Sequence, residues 1–441
     1  MVKLNPDGKR EVQRVVIVGG GAGGLVLATR LAKQNKRLNQ FDITLVDSRS
    51  SHVWKPILHE VAAGQMNAGD EALSYYSLGA RDGYVFQRGS LKNIDRVEKW
   101  IEVENPYGRA MADASANKKI PYDILVLALG GVTQDFGIPG VKDHCYFLDS
   151  VEQAELFYQD LIEKYFDNYS GGGPGDEPEL LQINIVGGGA TGVELAMALS
   201  TAIQHAQKNS VHLHKPKWVT LRLIEAGEDI LSGQEKSLVD YAKLALSKAG
   251  VELILGEKIL EAKPDCLVTS RHAVIVGDFN IWVGGVRGPE VLAGIEGILL
   301  NDKHQIQVNE YLQSCDSNIY AIGDCALCFD QGAALAPRAQ VAQQQAEYLA
   351  QRLVEHNNPQ KRETFHFVDH GLFVSLDGRR AIGTLNAALS KQFALKGRFA
   401  GCIYAALYQK HYAEMAGPYL AFLKTLKHFF GKRLYEVAKS L

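Results

Sequence analysis

Glycine residues recur at the spacing G-x-G-x-x-G at two places in this 441-residue chain, each directly after a run of apolar residues. The first glycine of such a group permits a tight turn, the second lets a pyrophosphate approach the backbone, and the third lets the next helix pack closely. That helix directs its N-terminal amide groups toward the phosphates. The spacing therefore predicts two dinucleotide-binding loops, formed by Gly19, Gly21 and Gly24 and by Gly187, Gly189 and Gly192.

An acidic residue ends the strand that is predicted to follow each loop. Asp47 comes after the apolar residues 43–46, and Glu225 comes after residues 219–224. A carboxylate at this position accepts hydrogen bonds from ribose hydroxyl groups and repels a 2′-phosphate. No basic residue directly follows Glu225, which favours NADH over NADPH, although Arg222 lies three residues before it. Two such sites in one chain indicate electron transfer between two dinucleotides, for which FAD and NAD(P)H are the common pair.

Two further acidic residues stand near the predicted dinucleotides. Asp324 follows the apolar residues 319–322, where a carboxylate suits the hydroxyl groups of a flavin's ribityl chain. Glu194 comes two residues after Gly192, in the first turn of a helix predicted at 193–207. A carboxylate at that place either contacts the nicotinamide or stabilises the positive end of the helix dipole, and its position alone favours neither.

Alternating strands and helices must position these residues. Residues 15–18 and 122–129 are continuous apolar runs, typical of strands buried on both faces of a parallel sheet. Helices are predicted at 25–34 and 151–169, and a glycine-rich linker at 170–178. Shorter strands are predicted in a β-rich insert at 85–103, then at 279–283, 318–323, 364–368 and 373–376.

The predicted fold class is α/β, with two Rossmann-like dinucleotide-binding domains, the second inserted in the first. A C-terminal amphipathic helical region is expected to anchor the protein to a membrane. The predicted boundaries are 10–170 and 301–383 for the FAD-binding domain, 180–300 for the NADH-binding domain and 384–441 for the C-terminal region.

Composition narrows the class of protein. The net charge of −3 argues against nucleic acid as a partner. From residue 384 onward there are nine Lys and Arg against two Asp and Glu, so a basic tail follows an acidic body. The six cysteines are too sparse for a disulfide scaffold and suit a reducing compartment. We expect no signal peptide, because the first fourteen residues contain no apolar run. We expect no transmembrane helix, because no apolar run in the sequence reaches 18 residues.

The ordered motifs resemble those of two-dinucleotide-binding-domain flavoproteins. Within that group they resemble the type II NADH:quinone oxidoreductases, which are single-subunit respiratory NADH dehydrogenases that do not pump protons. The resemblance covers roughly residues 14–385 and rests on WKPILHEVA at 54–62, DFGIPGV at 135–141, GVELA at 192–196, GDCA at 323–326 and the quinone-site pattern AQxAxQ at 339–344.

The resemblance implies the contacts of both cofactors. It places FAD on Gly19, Gly21, Ala22, Gly23, Gly24, Asp47, Ser48, Lys55, Leu91, Gly130, Asp324, Ala339 and Gln340. It places NADH on Gly187, Gly189, Ala190, Thr191, Gly192, Glu194 and Glu225.

The resemblance also implies the catalytic residues Glu194, Gln340 and Gln344. Gln340 and Gln344 lie four apart on one helix face, where they either bind a quinone carbonyl or form a solvated polar surface. Hydride transfer from NADH to the flavin needs no acid or base, but quinone reduction needs protons, which amides do not supply. The sequence leaves the proton source open. Other titratable residues expected near the flavin are His52, Lys55, His59 and Glu60.

Two rival functions remain open. A related reductase with another acceptor, such as a sulfide:quinone or disulfide reductase, is disfavoured because no cysteine occurs between Asp47 and Leu127. Cys325 and Cys328 have the spacing of a redox or metal pair but lack a second pair, so we interpret them as structural thiols. The other rival is a slow-turnover redox-sensing protein with the same two cofactors.

The residues after Pro418 have the pattern of an amphipathic helix that lies in a membrane surface. The alternative is that the apolar stripe packs on the protein itself or on a second subunit. Both can apply to different parts, with residues 403–415 packed internally and the last helix on lipid. With a lipophilic quinone as substrate, we expect a peripheral homodimer on an anionic lipid bilayer, at the cytoplasmic face of the bacterial inner membrane. The apolar stripe comprises Leu423, Leu426, Phe430, Leu434, Val437 and Leu441, and the cations are Lys424, Lys427, Lys432 and Lys439.

Overall fold

The computed structural model describes residues 12–105, 117–170, 180–209, 219–355, 363–386, 392–417 and 421. Every statement on the structure below refers to these residues. The linker expected at 170–178 and nearly all of the amphipathic segment after Pro418 lie outside them.

The first large sheet has five parallel strands. Residues 15–18 of its central strand are β-branched and buried, so both faces are covered there, as a parallel sheet requires. The helix Gly24–Leu38 begins directly after the first glycine loop and connects the central strand to its neighbour. The strand order is Ile319–Ala321, Ile124–Leu127, Gln13–Val18, Phe41–Asp47 and Val85–Arg88.

The second large sheet has the same arrangement of parallel strands and a helix that starts at a glycine loop. It is formed by residues that lie in the sequence between two strands of the first sheet. Its four strands are parallel, and the helix Ala190–Asn209 begins inside the second glycine loop. The chain therefore leaves the first sheet after Ile124–Leu127, forms the second, and returns with Ile319–Ala321. The strand order is Val251–Leu255, Val219–Glu225, Leu181–Val186 and Phe279–Trp282.

Three antiparallel sheets flank the two parallel ones. Their strands are Ser90–Asp95, Trp100–Glu104 and Lys118–Pro121, then Ile259–Lys263, Cys266–Thr269 and Val274–Val276, and finally Gly371–Ser375, Ala381–Asn386 and Gln392–Gly397. Two-stranded pairs are formed by Ser51–His52 with Leu73–Ser74, Val132–Thr133 with Val286–Arg287, Ile306–Gln307 with Ala326–Leu327, and Phe329–Asp330 with Ala333–Ala334.

The other α-helices are Leu58–Ala62, Ala68–Glu71, Tyr75–Asp82, Val141–His144, Val151–Ser170, Lys236–Lys248, Ala339–Glu355 and Arg398–Ala416. Three short 3-10 helices occur at Lys55–Ile57, Glu290–Gly294 and Gly323–Cys325. No helix in the described part of the chain is long and apolar enough to cross a bilayer.

One predicted element is wrong. Residues 364–368 form no strand, and their backbone amides find individual partners instead. Phe367 N donates to Asp330 Oδ2 at 3.0 Å, and Val368 N donates to Gln344 Oε1 at 2.9 Å. Alternating apolar residues resemble a strand, but here no neighbouring strand is available for pairing.

The segment after the last sheet belongs to the folded body. Helix Arg398–Ala416 packs on all three strands of the last antiparallel sheet and on helix Gly24–Leu38. Its residues Met415 and Ala416 are buried in the core of the first sheet. Arg81 fixes the end of this helix, because its guanidinium donates to the carbonyl oxygens of Met415 at 2.5 Å and Ala416 at 2.7 Å.

Candidate active site

One large cavity receives residues from both glycine loops. Its volume is about 1920 Å³, well above the roughly 300–1,000 Å³ of an ordinary small-molecule site, so it has room for more than one ligand. Among the residues that line it are Gly19, Gly21, Ala22 and Gly23 of the first loop, Ala190, Thr191 and Glu194 after the second, and Tyr404, Tyr408 and His411 of helix Arg398–Ala416.

The first glycine loop has the shape that a dinucleotide requires. Gly19 has φ +105°, and a Cβ on Gly24 would lie only 1.8 Å from Gly19 O, so both positions need glycine. At Gly21 a Cβ would meet no atom within 4 Å, which leaves open space over the backbone. Asp47 Oδ2 accepts a hydrogen bond from Gly20 N at 2.6 Å, which ties the acidic strand end to the loop.

The second glycine loop repeats this geometry. Gly187 has φ +119°, a Cβ on Gly192 would lie 1.9 Å from Gly187 O, and Gly189 again faces open space. Glu225 Oε2 accepts a hydrogen bond from Gly188 N at 2.6 Å. Both loops therefore fit a dinucleotide, because each has a helix N-terminus, an open glycine and a carboxylate held at the ribose position.

Lys55 and Asp324 lie beside the first loop and line the cavity. Lys55 Nζ donates to Gly131 O at 2.8 Å and lies 3.3 Å from Asp149 Oδ1. Burial raises the pKa of Asp324, and the charge of Lys55 opposes this shift. Lys55 thus supplies positive charge at the place where the resemblance expects the flavin.

Helix Ala339–Glu355 fixes the turn that carries Asp324. The buried Gln345 accepts a hydrogen bond from Gly323 N at its Oε1, with a length of 2.7 Å. Gly130 and Ala339 also line the cavity.

Ser48 and Leu91 are expected to contact FAD but are not part of the cavity lining. Leu91 is buried in the core between the first sheet and the antiparallel insert, and Ser48 is exposed after the strand that carries Asp47. The contacts of Ser48 and Leu91 with FAD stay a prediction.

Glu194 is a buried carboxyl group in the cavity wall, with 8% of its surface exposed. Burial raises its pKa to about 8, and the charge of Glu60 acts in the same direction. Hydrogen bonds from Ser375 N, at 2.9 Å, and from the Tyr404 hydroxyl group partly oppose that shift. Glu194 therefore carries a proton at neutral pH.

His59 lies next to Glu194 but does not form an ion pair with it at neutral pH. The distance from His59 Nδ1 to Glu194 Oε2 is 3.7 Å. Burial lowers the pKa of His59 to about 4, so its imidazole is neutral when the carboxyl group is protonated.

Helix Arg398–Ala416 adds two phenols to the cavity. The hydroxyl group of Tyr404 is hydrogen-bonded to Glu194, and that of Tyr408 is hydrogen-bonded to Glu71 Oε2. Burial raises the pKa of both tyrosines, and the charge of Glu60 raises them further. Both phenols are therefore protonated at neutral pH.

Two imidazoles, of His52 and His411, join this helix to the first glycine loop. His52 Nδ1 lies 3.0 Å from Gly20 O, so that nitrogen donates, and His52 Nε2 lies 3.4 Å from His411 Nε2. Gln343 Nε2 donates to His411 Nδ1. All three hydrogen bonds form when His411 carries its proton on Nε2 and donates it to His52 Nε2. Burial lowers the pKa of His52 to about 4, consistent with a neutral ring.

The two glutamines of the AQxAxQ pattern both reach the segment 368–371. Gln340 Nε2 donates to Gly371 O at 2.9 Å, and this residue also lines the cavity. Gln344 exchanges two hydrogen bonds with Val368, at 2.8 and 2.9 Å, and is not part of the cavity lining. The shared helix face is therefore as predicted, while only Gln340 reaches the cavity.

Cys325 and Cys328 are free and buried, as expected of structural thiols. Burial raises the pKa of Cys325 to about 12 and that of Cys328 to about 11. A thiol must ionise to act as a nucleophile, so neither is activated for disulfide chemistry.

Sequence reasoning missed Tyr404, Tyr408 and His411, because residues 384–441 were assigned to a membrane-association region and internal packing of residues 403–415 was considered without a link to the active site. Their spacing of four and three residues was the available signal, since it places them on one helix face. What this face contacts depends on the tertiary fold.

Comparison with known proteins first defines the class. A family model described as pyridine nucleotide-disulphide oxidoreductase matches residues 13–346, a span that contains both glycine loops. The structure of NDH2 from Plasmodium falciparum in complex with NADH superposes with a TM-score of 0.80 at 18% identity and covers 95% of this chain and 98% of that one. The sulfide:quinone oxidoreductase from Aquifex aeolicus superposes with a TM-score of 0.72, also at 18% identity, and the match covers 95% of each chain. At these identities the likeness shows the fold alone.

Sequence relatives then define the family. The type II NADH:quinone oxidoreductase of Haemophilus influenzae is 36% identical over 420 residues, which cover 92% of this chain and 95% of that protein. The protein of the same name from Staphylococcus aureus is 29% identical over 381 residues, or 84% and 89% of the two chains. This chain belongs to the type II NADH:quinone oxidoreductase family, and the resemblance inferred from its motifs is confirmed.

Proposed function

We propose that this chain oxidises NADH and reduces a quinone with FAD as its bound cofactor, the activity of the family to which it belongs. Bound FAD accepts a hydride from NADH and passes two electrons to the quinone. The observation that carries this function is a single cavity lined by residues of both dinucleotide loops and by Glu194. The redox ends of two dinucleotides placed on these loops share one space.

We propose that the predicted cofactor residues act as the resemblance implies. The open backbone at Gly21 and Gly189 receives the two pyrophosphates, and Asp47 and Glu225 bind ribose hydroxyl groups. Lys55 adds positive charge near the flavin. The division into four parts at 10–170, 180–300, 301–383 and 384–441 belongs to the same proposal.

The catalytic residues have distinct roles in this proposal. Glu194, protonated at neutral pH and open to the cavity, donates a proton to the reduced quinone. Gln340 provides a polar contact for a quinone carbonyl. Gln344 holds the segment 368–371 in place through its two hydrogen bonds to Val368. It thereby supports a segment that borders the site without itself reaching the cavity.

An anaerobic visible spectrum of the purified protein tests this function. We expect NADH to bleach the flavin band and a short-chain quinone to restore it within the time of a turnover. Bleaching without restoration would contradict the quinone as acceptor while keeping both dinucleotide sites. A protein that stays colourless after incubation with FAD would contradict the function as a whole.

We also propose that the chain is a peripheral membrane protein that uses the segment after Pro418 as an in-plane anchor. Support comes from the sequence, in which apolar residues recur every three or four positions with lysines on other faces. Cations near anionic lipid contribute roughly 1 kcal/mol each. A homodimer at the cytoplasmic face of the inner membrane completes this proposal.

Truncation before Pro418 is expected to release the protein from vesicles of anionic lipid. In a sedimentation assay the full chain should pellet with the vesicles and the truncated chain should stay in the supernatant. The FAD content and the reduction of ferricyanide by NADH serve as controls, because they require the folded body alone. If the truncated protein still pellets, another surface binds the lipid and the anchor proposal is wrong.

A further inference from the structure

Three carboxyl groups and two phenols line one wall of the cavity. They are brought together by three short stretches of chain and the helix Arg398–Ala416, and we call them the acid–phenol cluster. Its members are Glu60, Glu71, Glu194, Tyr404 and Tyr408.

The cluster has two hydrogen-bonded ends. At the inner end Tyr404 is bonded to Glu194, which is 8% exposed. At the outer end Tyr408 is bonded to Glu71, whose side chain is partly exposed. Tyr404 and Tyr408 are four residues apart, so they are neighbours on one helix face.

Glu60 lines the same cavity. Its charge acts on Tyr404, Tyr408 and Glu194 alike. The titratable groups of the acid–phenol cluster therefore interact with one another in the cavity. Tyr412 and the ring of Trp54 also face Tyr408, and His59 faces Glu194.

The overall reaction requires a route of this kind. Oxidation of one NADH and reduction of one quinone to the quinol takes up one proton from solvent, because NADH supplies two electrons and only one hydrogen. Glu194 becomes a buried carboxylate after it gives up its proton, and a buried charge without compensation is costly. A quinone in the cavity displaces the water that would otherwise restore that proton.

We propose that Glu71 and Tyr408 form the outer half of a proton relay that reprotonates Glu194 through Glu60 and Tyr404. This inference rests on the proposed function, since it concerns the proton taken up in quinone reduction. In each turnover Glu194 loses one proton to a quinone oxygen and regains one from Tyr404. Glu71 takes a proton from solvent and passes it through Tyr408 to the Glu60 carboxylate. Glu60 then passes it through Tyr404 to the Glu194 carboxylate, so that each phenol gives up one proton as it receives another.

The burial of the phenols determines how the relay works. Their pKa values are raised, so neither phenol is stable as a phenolate. The transfers must therefore be concerted along the hydrogen bonds, with no charge left on a tyrosine. A relay of this type slows in heavy water, because several protons move together.

The test compares Tyr408→Phe with the matched control Tyr76→Phe in the complete FAD-loaded enzyme. Tyr76 is 56% exposed, so its substitution removes a hydroxyl group with no part in the cavity. We expect Tyr408→Phe to lower the rate of quinone reduction about ten-fold or more, within the range of lost proton-transfer assistance. Flavin bleaching by NADH and ferricyanide reduction, which deliver no proton to the acceptor, should stay at the wild-type rate.

Two further readouts separate a relay from a structural role. The solvent isotope effect on quinone reduction should change in Tyr408→Phe, and a small weak acid such as imidazolium should restore part of the rate. Glu71→Gln should show the same behaviour, which keeps the test valid if Tyr408→Phe folds poorly. A wild-type quinone rate in both variants would overturn the relay, as would a loss that weak acid does not relieve. If the wild-type enzyme itself is not reoxidised by quinone, the proposed function fails instead.

Discussion

Replacement of Gly24 by alanine is expected to abolish FAD retention and to destabilise the protein. The new Cβ would lie 1.8 Å from Gly19 O and 3.1 Å from the Cβ of Ala128. Neither neighbour can yield without separating helix Gly24–Leu38 from the central strand, because Gly19 O belongs to the backbone. We expect a loss of about 3 kcal/mol or more in the free energy of unfolding, at the upper end of the cost of overpacking.

Gly21→Ala is the matched control, since the same methyl group there meets no protein atom within 4 Å. Its apoprotein should melt at the wild-type temperature, yet FAD affinity should fall because the methyl group occupies the pyrophosphate space. Gly189→Ala should keep FAD and raise the KM for NADH, because it makes the same change in the second loop. Calorimetry of the apoproteins and flavin absorbance measure these effects. Wild-type melting and FAD content in Gly24→Ala would contradict the close packing described above.

The second large effect is expected at Glu194. Since burial raises its pKa to about 8, quinone reduction by the wild-type enzyme should fall as the pH rises through that value and the proton is lost. Glu194→Gln keeps the shape but has no proton to donate, so its rate should drop by about 10²-fold or more and lose this pH dependence. Stopped-flow reoxidation of the reduced enzyme checks the pH dependence of the wild-type rate and the lower rate of Glu194→Gln. The measurement runs between pH 6 and 9, about the range in which a group with this pKa titrates.

Stability provides an independent check on the same group. The folded-state pKa of Glu194 lies above the ordinary glutamate pKa of 4.5, so its favourable contribution is complete below pH 4.5 and is lost as the pH rises through about 8. Relative to wild type, Glu194→Gln should therefore gain stability on going from pH 5 to pH 9, by about 1.4 kcal/mol per unit of pKa shift. The same stability difference at both pH values would show that Glu194 is not protonated in the folded protein.

Glu60→Gln tests the cause of the shift. The charge of Glu60 raises the pKa of Glu194, so its removal should move the high-pH decline of quinone reduction to lower pH, and it should lower the rate below that pH because the proposed relay passes through Glu60. If the rate of quinone reduction still declines at the wild-type pH, burial alone raises the pKa of Glu194.

The sequence by itself determined the parts of this protein whose structure depends on residues that are neighbours along the chain. A strand, a turn that only glycine permits, a helix start and an acid at the next strand end occupy neighbouring positions along the chain, so their order specifies each dinucleotide loop. Gly19, Gly24 and Asp47 have the geometry that this order predicts, and so do Gly187, Gly192 and Glu225. The same reasoning predicted the parallel sheets, because runs of β-branched residues are buried on both faces.

Only the tertiary structure decided what surrounds the catalytic candidates. Glu194 holds its proton because the fold buries it, and the charge of Glu60 adds to this effect, while hydrogen bonds from Ser375 and Tyr404 oppose it. Gln340 reaches the cavity and Gln344 does not, although they share a helix face, because Gln344 is held by Val368 at a more distant point of the segment 368–371. Residues 398–416 fall in the region assigned to membrane association, and the alternative of internal packing holds for them, because their helix lines the cavity and packs on the folded body. The spacing of residues along a helix defines its faces, but the partner of each face is determined by long-range packing, which no local pattern encodes.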